Sequence, residues 1–150
     1  MLPPIAHDDV VTLRPPEAGD AAVLMAGRDD ESRRWLGPGT TDPAPAACIV
    51  VDDEIVGWVD YDTDRDWLGA GEVNVGYCVF ADHRGRGYAS RAIELLVDHL
   101  GRTTPYGTAT LLIDPGNVAS LAVANKLGCV AHGDMGGSRS FKLPIVRRDG

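Results

Sequence analysis

The residues best suited to chemistry fall in one short run, Arg84-Gly85-Arg86-Gly87-Tyr88-Ala89, followed by Ser90. Two glycines and an alanine ahead of a helix allow a ligand to approach the backbone closely. The free amides of a helix N-terminus point outward, and the helix dipole favours an anion there. Arg84 and Arg86 add positive charge, so the run suits a pyrophosphate cradle. It equally suits a solvated turn, and so short a spacing does not choose between the two. Two other phosphate motifs are excluded. A Walker loop needs Gly-Lys before Ser or Thr, and the chain has no Gly-Lys pair. The dinucleotide fingerprint needs a third glycine where Ser90 stands. Further on, Asn117 stands where it can cap a helix beginning at Val118, and Ser120 puts a hydroxyl in that helix's first turn. Capping and ligand contact are both open for Asn117.

The elements that position these residues follow from the apolar pattern. Residues 72–80 alternate, with Val73, Val75, Tyr77 and Val79 on one face and Glu72, Asn74, Gly76 and Cys78 on the other. Ala89, Ala92, Ile93, Leu96, Val97 and Leu100 share one helical face, and Gly101 predicts the stop. Upstream, residues 10–14 read as a strand and residues 17–27 and 30–36 as helices. Residues 48–51 and 55–61 read as a hairpin turning at Asp52-Asp53. Downstream, residues 108–113 read as a strand and 118–127 as a helix. Residues 129–131 and 139–143 read as two last strands around a Gly-rich loop, 133–137. The order β-α-α-β-β-β-α-β-α-β-β predicts an α+β fold in one domain over residues 1–150. Its sheet is mixed and mostly antiparallel, with about six to seven strands and about four flanking helices. Residues 72–113 should form a right-handed βαβ crossover.

Composition bounds the function. The 150-residue chain carries 22 acidic and 14 basic residues, a net charge of −8. Such a chain has no global attraction to nucleic-acid phosphates or anionic membranes, so neither is expected as a partner. Cys48, Cys78 and Cys129 form no CxxC pair, so neither a zinc knuckle nor a redox dithiol is signalled. Three buried, reduced thiols are expected. No apolar run approaches the ~20 residues of a bilayer span. The first residues lack the basic start and apolar stretch of a signal peptide. A cytoplasmic location is therefore the expectation.

Three stretches together resemble the GCN5-related N-acetyltransferases. They are the strand Val75-Gly76-Tyr77-Cys78-Val79, the run Arg84 to Ala89, and Asn117-Val118-Ala119-Ser120 continuing to Lys126-Leu127-Gly128-Cys129. The run from Arg84 resembles the family's Arg/Gln-x-x-Gly-x-Gly/Ala motif. The stretch from Asn117 resembles its N-x-x-S…K-x-G-F helix and strand. Ser32-Arg33-Arg34-Trp35-Leu36 adds a likeness to the RimJ/RimL-type branch. The resemblance implies a central strand splayed from its neighbour, whose unpaired backbone groups at Tyr77, Cys78 and Val79 take the pantetheine arm of acetyl-CoA. It makes the Val79 amide the donor to the thioester carbonyl. It puts the pyrophosphate on Arg84 and on the amides of Gly85, Arg86, Gly87, Tyr88, Ala89 and Ser90, with Asn117 touching the cofactor beyond the splay. It gives Ser120 the protonation of the departing thiolate. The implied reaction is acetyl transfer from acetyl-CoA to a primary amine, a small molecule or a protein N-terminus, by direct attack and without a metal. Dimers are common in the family, which leaves a homodimer open.

Two departures stand out. Many members carry a general-acid tyrosine seven residues after the asparagine, and Ala124 stands there. The branch often carries glutamate where Asn74 stands. That leaves Glu72, its neighbour on the same face, as base, directly or through water. These gaps motivate a second reading, a protein that binds acyl-CoA without turnover as a sensor or interaction module. Acceptor pockets in such folds draw on the early helices and on loops, here 37–46, 62–71 and 133–138. The acidic residues Asp60, Asp62, Asp64, Asp66 and Glu72 in and beside them point to a cationic amine.

Overall fold

In the computed structural model, which describes residues 2–148, the strand patterns assemble into one sheet of eight strands. In chain order they are β1 (Ala6–His7), β2 (Thr12–Arg14), β3 (Ala47–Val51), β4 (Glu54–Asp62), β5 (Glu72–Val79), β6 (Thr108–Ile113), β7 (Val130–Met135) and β8 (Ser138–Pro144). The order across the sheet is β1-β2-β3-β4-β5-β6-β8-β7, antiparallel except for the β5–β6 pair. The eighth strand is β1, two residues too short to show a period. The expected first strand shortens to Thr12–Arg14 because Asp8 Oδ1 takes the amides of Val10 and Val11 at 2.8 and 2.7 Å in a tight turn. The hairpin between β3 and β4 turns where expected. Asp52 and Asp53 both have positive φ, 51° and 64°, as a two-residue turn between twisted strands requires.

Four α-helices lie among the described residues: α1 (Asp20–Ala26), α2 (Asp30–Leu36), α3 (Tyr88–Thr103) and α4 (Val118–Lys126). The α3 stripe of Ala92, Ile93, Leu96 and Leu100 is fully buried, in one cluster with Val73, Val75 and Val79 of β5 and Leu111 of β6. This is the core that the periodicities of two and 3.6 anticipate. α1 covers the opposite face, where Leu24, Cys48 and Cys78 are buried and Asp20 pairs with Arg14 at 2.7 Å. No helix among the described residues is long and apolar enough to cross a membrane.

Three sequence expectations are corrected. Gly101 does not stop α3 but lies inside it, buried against the C-terminal segment, and a Cβ there would collide with the Val146 carbonyl oxygen. The supposed loop 133–137 is mostly strand, since β7 runs to Met135 and only Gly136 and Gly137 turn. Cys129 is half-buried, while Cys48 and Cys78 are buried as expected.

One feature of the sheet sets up the site. The parallel strands β5 and β6 pair only at Glu72–Thr108, Val73–Ala109 and Asn74–Thr110. Beyond Asn74 the two strands part.

Gly101 offers a clean test of packing against propensity. Alanine is the better helix former by about 1 kcal/mol. Overpacking a tight contact costs roughly 1–3 kcal/mol, so packing should win. Gly101→Ala is expected to melt roughly 2–6 °C below the wild type in a thermal circular-dichroism scan. An equal or higher melting temperature would mean the C-terminal segment moves aside freely.

Candidate active site

The parting of β5 from β6 leaves backbone groups in mid-sheet without a partner strand. The Phe80 amide donates to the Val56 carbonyl at 2.8 Å, which sets the alternation along β5. Gly76 and Cys78 therefore turn their backbone groups toward β4, and Val75, Tyr77 and Val79 turn theirs toward the gap. Of the three expected backbone donors, the structure brings Tyr77 and Val79 to the gap, whereas Cys78 faces the neighbouring strand. Val79 is further fixed because its carbonyl accepts Arg84 Nε at 2.8 Å, leaving its amide free toward the gap. A cavity of about 560 Å³ fills this space, within the ordinary size of a small-molecule site. Its walls come from β5, β6, α2, α4 and the loop into α3.

At one end of the cavity lies the start of α3. The cap residue Gly87 has φ 82° and Gly85 φ 76°, left-handed values that glycine adopts without strain. α2 and α4 have side-chain caps, from Asp29 and Asn117, but α3 has none. Its first amides, at Tyr88, Ala89 and Ser90, therefore remain open to a ligand. The Ser90 hydroxyl is already engaged, donating to Gly87 O at 3.1 Å. Arg86 is exposed and outside the cavity wall. A cation that sequence reasoning missed stands there instead. Lys126, at the end of α4, lines the cavity, and its Nζ lies 3.1 Å from where a Cβ on Gly87 would sit. Its position on α4 was legible, but not that α4 ends over the start of α3.

Arg84 is not a free phosphate ligand. Its guanidinium grips Asp29 with two bonds of 2.8 and 3.0 Å, reaches Glu31 at 3.2 Å and ties both to Val79. Two carboxylates offset its charge. The contact joins the end of β5 to the start of α2, where Asp29 also caps the helix by accepting the Ser32 amide at 2.8 Å. The Arg84 guanidinium first, and the Ser32 amide second, hold the Asp29 carboxyl well below the usual carboxylate range.

At the other end, Tyr77 Oη donates to Ser120 Oγ at 2.7 Å, joining β5 to α4 across the gap. Both residues line the cavity. Burial pushes the Tyr77 phenol above its ordinary value, against the smaller opposing effect of the Ser120 bond. Asn117 Oδ1 accepts the Ser120 amide at 3.2 Å, so it caps α4 while also lining the cavity. Ala124 is fully buried in the core.

Glu72 is not brought to the cavity. It sits at the paired end of β5, bound by Lys142 and by the Gly69 amide, and these two bonds hold its carboxyl below the usual range. Asn74 is occupied with Asp62 at 3.1 Å. Of the expected acceptor loops only Ser138 reaches the cavity, while α2 contributes Glu31, Arg34, Trp35 and Leu36. Asp60, Asp62 and Asp64 line a separate, open depression beside Tyr106.

This arrangement can be compared with known proteins. The family model described as acetyltransferase (GNAT) domain matches residues 11–130. The chain belongs to the GNAT acetyltransferase family. Acetyl transfer from acetyl-CoA is that family's reaction. The chain superposes on a RimL ribosomal L7/L12 alpha-N-protein acetyltransferase solved with coenzyme A, with a TM-score of 0.78 at 14% identity over 95% of this chain and 98% of that one. It is also similar to Mycobacterium smegmatis RimJ solved with CoA-disulfide, with a TM-score of 0.72 at 20% identity over 94% of this chain and 83% of that one. At these identities the likeness is one of fold. Among curated proteins it is similar to the uncharacterized YkkB of Bacillus subtilis (strain 168), 39% identical over 56 residues. That match spans 37% of this chain and only a third (33%) of YkkB.

The Arg84–Asp29 brace has a pH signature. The Asp29 carboxyl is depressed in the folded state, so the pair's contribution is complete well above the carboxyl's ordinary 3.8 and fades as pH falls below it. Asp29→Asn keeps a side chain that caps well and removes the charge. Its melting temperature should lie below that of the wild type at pH 7, and the difference should narrow steadily below about pH 4. A difference independent of pH would assign the loss to the cap alone.

Proposed function

We propose that this GNAT domain, taken as one unit over residues 1–150, transfers an acetyl group from acetyl-CoA to a primary amine, a small molecule or a protein N-terminus. The observation that carries the reading is the mid-sheet gap, which has free strand amides along one wall, an uncapped helix start at one end and a positioned hydroxyl at the other.

The residues present fit the cofactor. The amides of Tyr77 and Val79 offer a strand edge to the pantetheine arm. The amides around Gly87, with Lys126 beside them, suit the pyrophosphate, because the helix dipole and a lysine both favour an anion. Asn117 lies along the same wall. Acetyl-CoA supplies the acetyl thioester, in which a C–S bond gives way to the new C–N bond.

The chain's residues do the rest. The Val79 amide is the donor for the carbonyl oxygen on which negative charge builds. Ser120 gives its proton to the departing sulfur and is restored by the second proton that the nitrogen sheds as the amide forms. An amine is largely protonated at neutral pH, so one proton must leave it before attack. Glu72, held by Lys142 outside the cavity, is not part of this reading, and water takes that proton. The net change is thioester plus ammonium to thiol, amide and one released proton.

The alternative of binding without turnover grew from the vacancies at Ala124 and Asn74. The Ser120 hydroxyl, held by Tyr77 inside the cavity, favours turnover. A panel of amines assayed by release of free thiol separates the two, and thiol release with none of them would favour the binding module.

Two outcomes are expected. In calorimetry, coenzyme A should bind more tightly than ATP or NAD, and Gly87→Val should abolish that binding in a folded protein, because a branched side chain is strained at this φ and crowds the cradle. Normal affinity in folded Gly87→Val would place the phosphates elsewhere. Ser120→Ala should lower kcat roughly 10²-fold with little change in KM for acetyl-CoA, since a proton donor to the leaving group acts in the transition state. An unchanged kcat would hand proton donation to water.

A further inference from the structure

Serine hydroxyls near helix starts usually bond to a nearby carbonyl. Ser32 and Ser90 follow that habit, donating to Asp29 O and Gly87 O at 3.0 and 3.1 Å. Ser120 does not. Its oxygen accepts Tyr77 Oη at 2.7 Å, and among the described residues its own hydrogen is donated to nothing. Of the two hydroxyls the phenol is the stronger acid, and therefore the donor. Tyr77 is anchored by its strand and by the core it packs against, while the Ser120 backbone is anchored by the Asn117 cap. The pair thus leaves the serine with one lone pair occupied and its hydrogen free, on a residue that lines the cavity between β5 and β6.

We propose that Tyr77 is a positioning residue whose phenol orients the Ser120 hydroxyl toward the gap. The inference rests on the acetyl-transfer reading of the same cavity. When Ser120 passes its hydrogen to the departing sulfur, the Tyr77 hydroxyl is in line to replace it, and the second proton shed by the attacking nitrogen restores the tyrosine through water. Of the two protons the nitrogen loses, one reaches the sulfur by way of this pair and one goes to solvent, so atoms and charge balance.

The test compares wild type, Tyr77→Phe, Ser120→Ala and the double variant, with thermal melts as the folding check. Tyr77→Phe keeps the ring and should lower kcat about tenfold or more while leaving coenzyme A affinity in calorimetry unchanged. In the Ser120→Ala background the same change should have almost no further effect, because the tyrosine acts through the serine. A second arm needs no turnover. In an ultraviolet titration of the four tyrosines, Ser120→Ala should move one ionisation further up, and Tyr77→Phe should remove that ionisation. Full kcat in Tyr77→Phe overturns the proposal, as does an equal loss of kcat in both backgrounds or a titration indifferent to Ser120→Ala. A wild type that acetylates no amine overturns the underlying reading, and the proposal with it, yet leaves the titration shift in place. A missing shift in an active enzyme overturns the proposal alone.

Discussion

Two parallel strands that pair for three residues and then separate are a costly arrangement for the middle of a sheet. Each buried amide without a partner costs about 1–3 kcal/mol unless water or a ligand satisfies it. The chain offsets that cost by placing a cavity along the separated edge, so the orphan groups of Tyr77 and Val79 face a space that a ligand or solvent can fill. Everything around the gap keeps it open at a defined width. Arg84 pins the Val79 carbonyl on one side, and the Tyr77–Ser120 bond fixes the distance to α4 on the other. α3 is held by its buried apolar stripe with its uncapped start at the end of the gap.

Much of this was legible in the residues. The alternation of β5, the stripe of α3, the Asp-Asp turn and the order of elements all depend on local periodicity and turn chemistry, which a linear pattern carries. The glycines before α3 were legible for the same reason, since a left-handed cap is a local demand. What escaped depends on the residue opposite across a layer. Tyr77 and Ser120 lie 43 residues apart, and Arg84 and Asp29 lie 55 apart. No spacing rule spans such distances. Gly101 has a cause of the same kind. It has the mark of a helix stop because glycine ends helices, whereas it serves a close crossing with the C-terminal segment. Cys78 was assigned to the gap along with its neighbours, although the two-residue period of the strand turns its backbone the other way.

Net charge was a poorer guide than local pairing. The chain is strongly acidic as a whole, yet much of that acid is matched where it stands. Asp62 is held by Arg65, Glu72 by Lys142, Asp8 and Asp9 by Arg91, and Asp29 and Glu31 by Arg84. The acidic depression around Asp60 is separate from the main cavity. The field at the α3 end of the cavity is set by the α3 dipole and Lys126, two features that a summed charge does not register.

The Arg84 brace also shapes how this sequence can change over time. One guanidinium serves two carboxylates and one carbonyl, so its members are unequal. Loss of Glu31 removes a partly exposed contact and little else. Loss of Asp29 gives up a doubly bonded partner but still leaves Arg84 one carboxylate. Loss of Arg84 sets two like charges against each other and frees a carbonyl at the lip of the gap. Descendants of this chain should therefore drift readily at position 31, seldom at 29 and hardly at all at 84. A lineage that did abandon the arginine would pass most easily through the prior neutralisation of both acids, because the reverse order crosses a less stable intermediate.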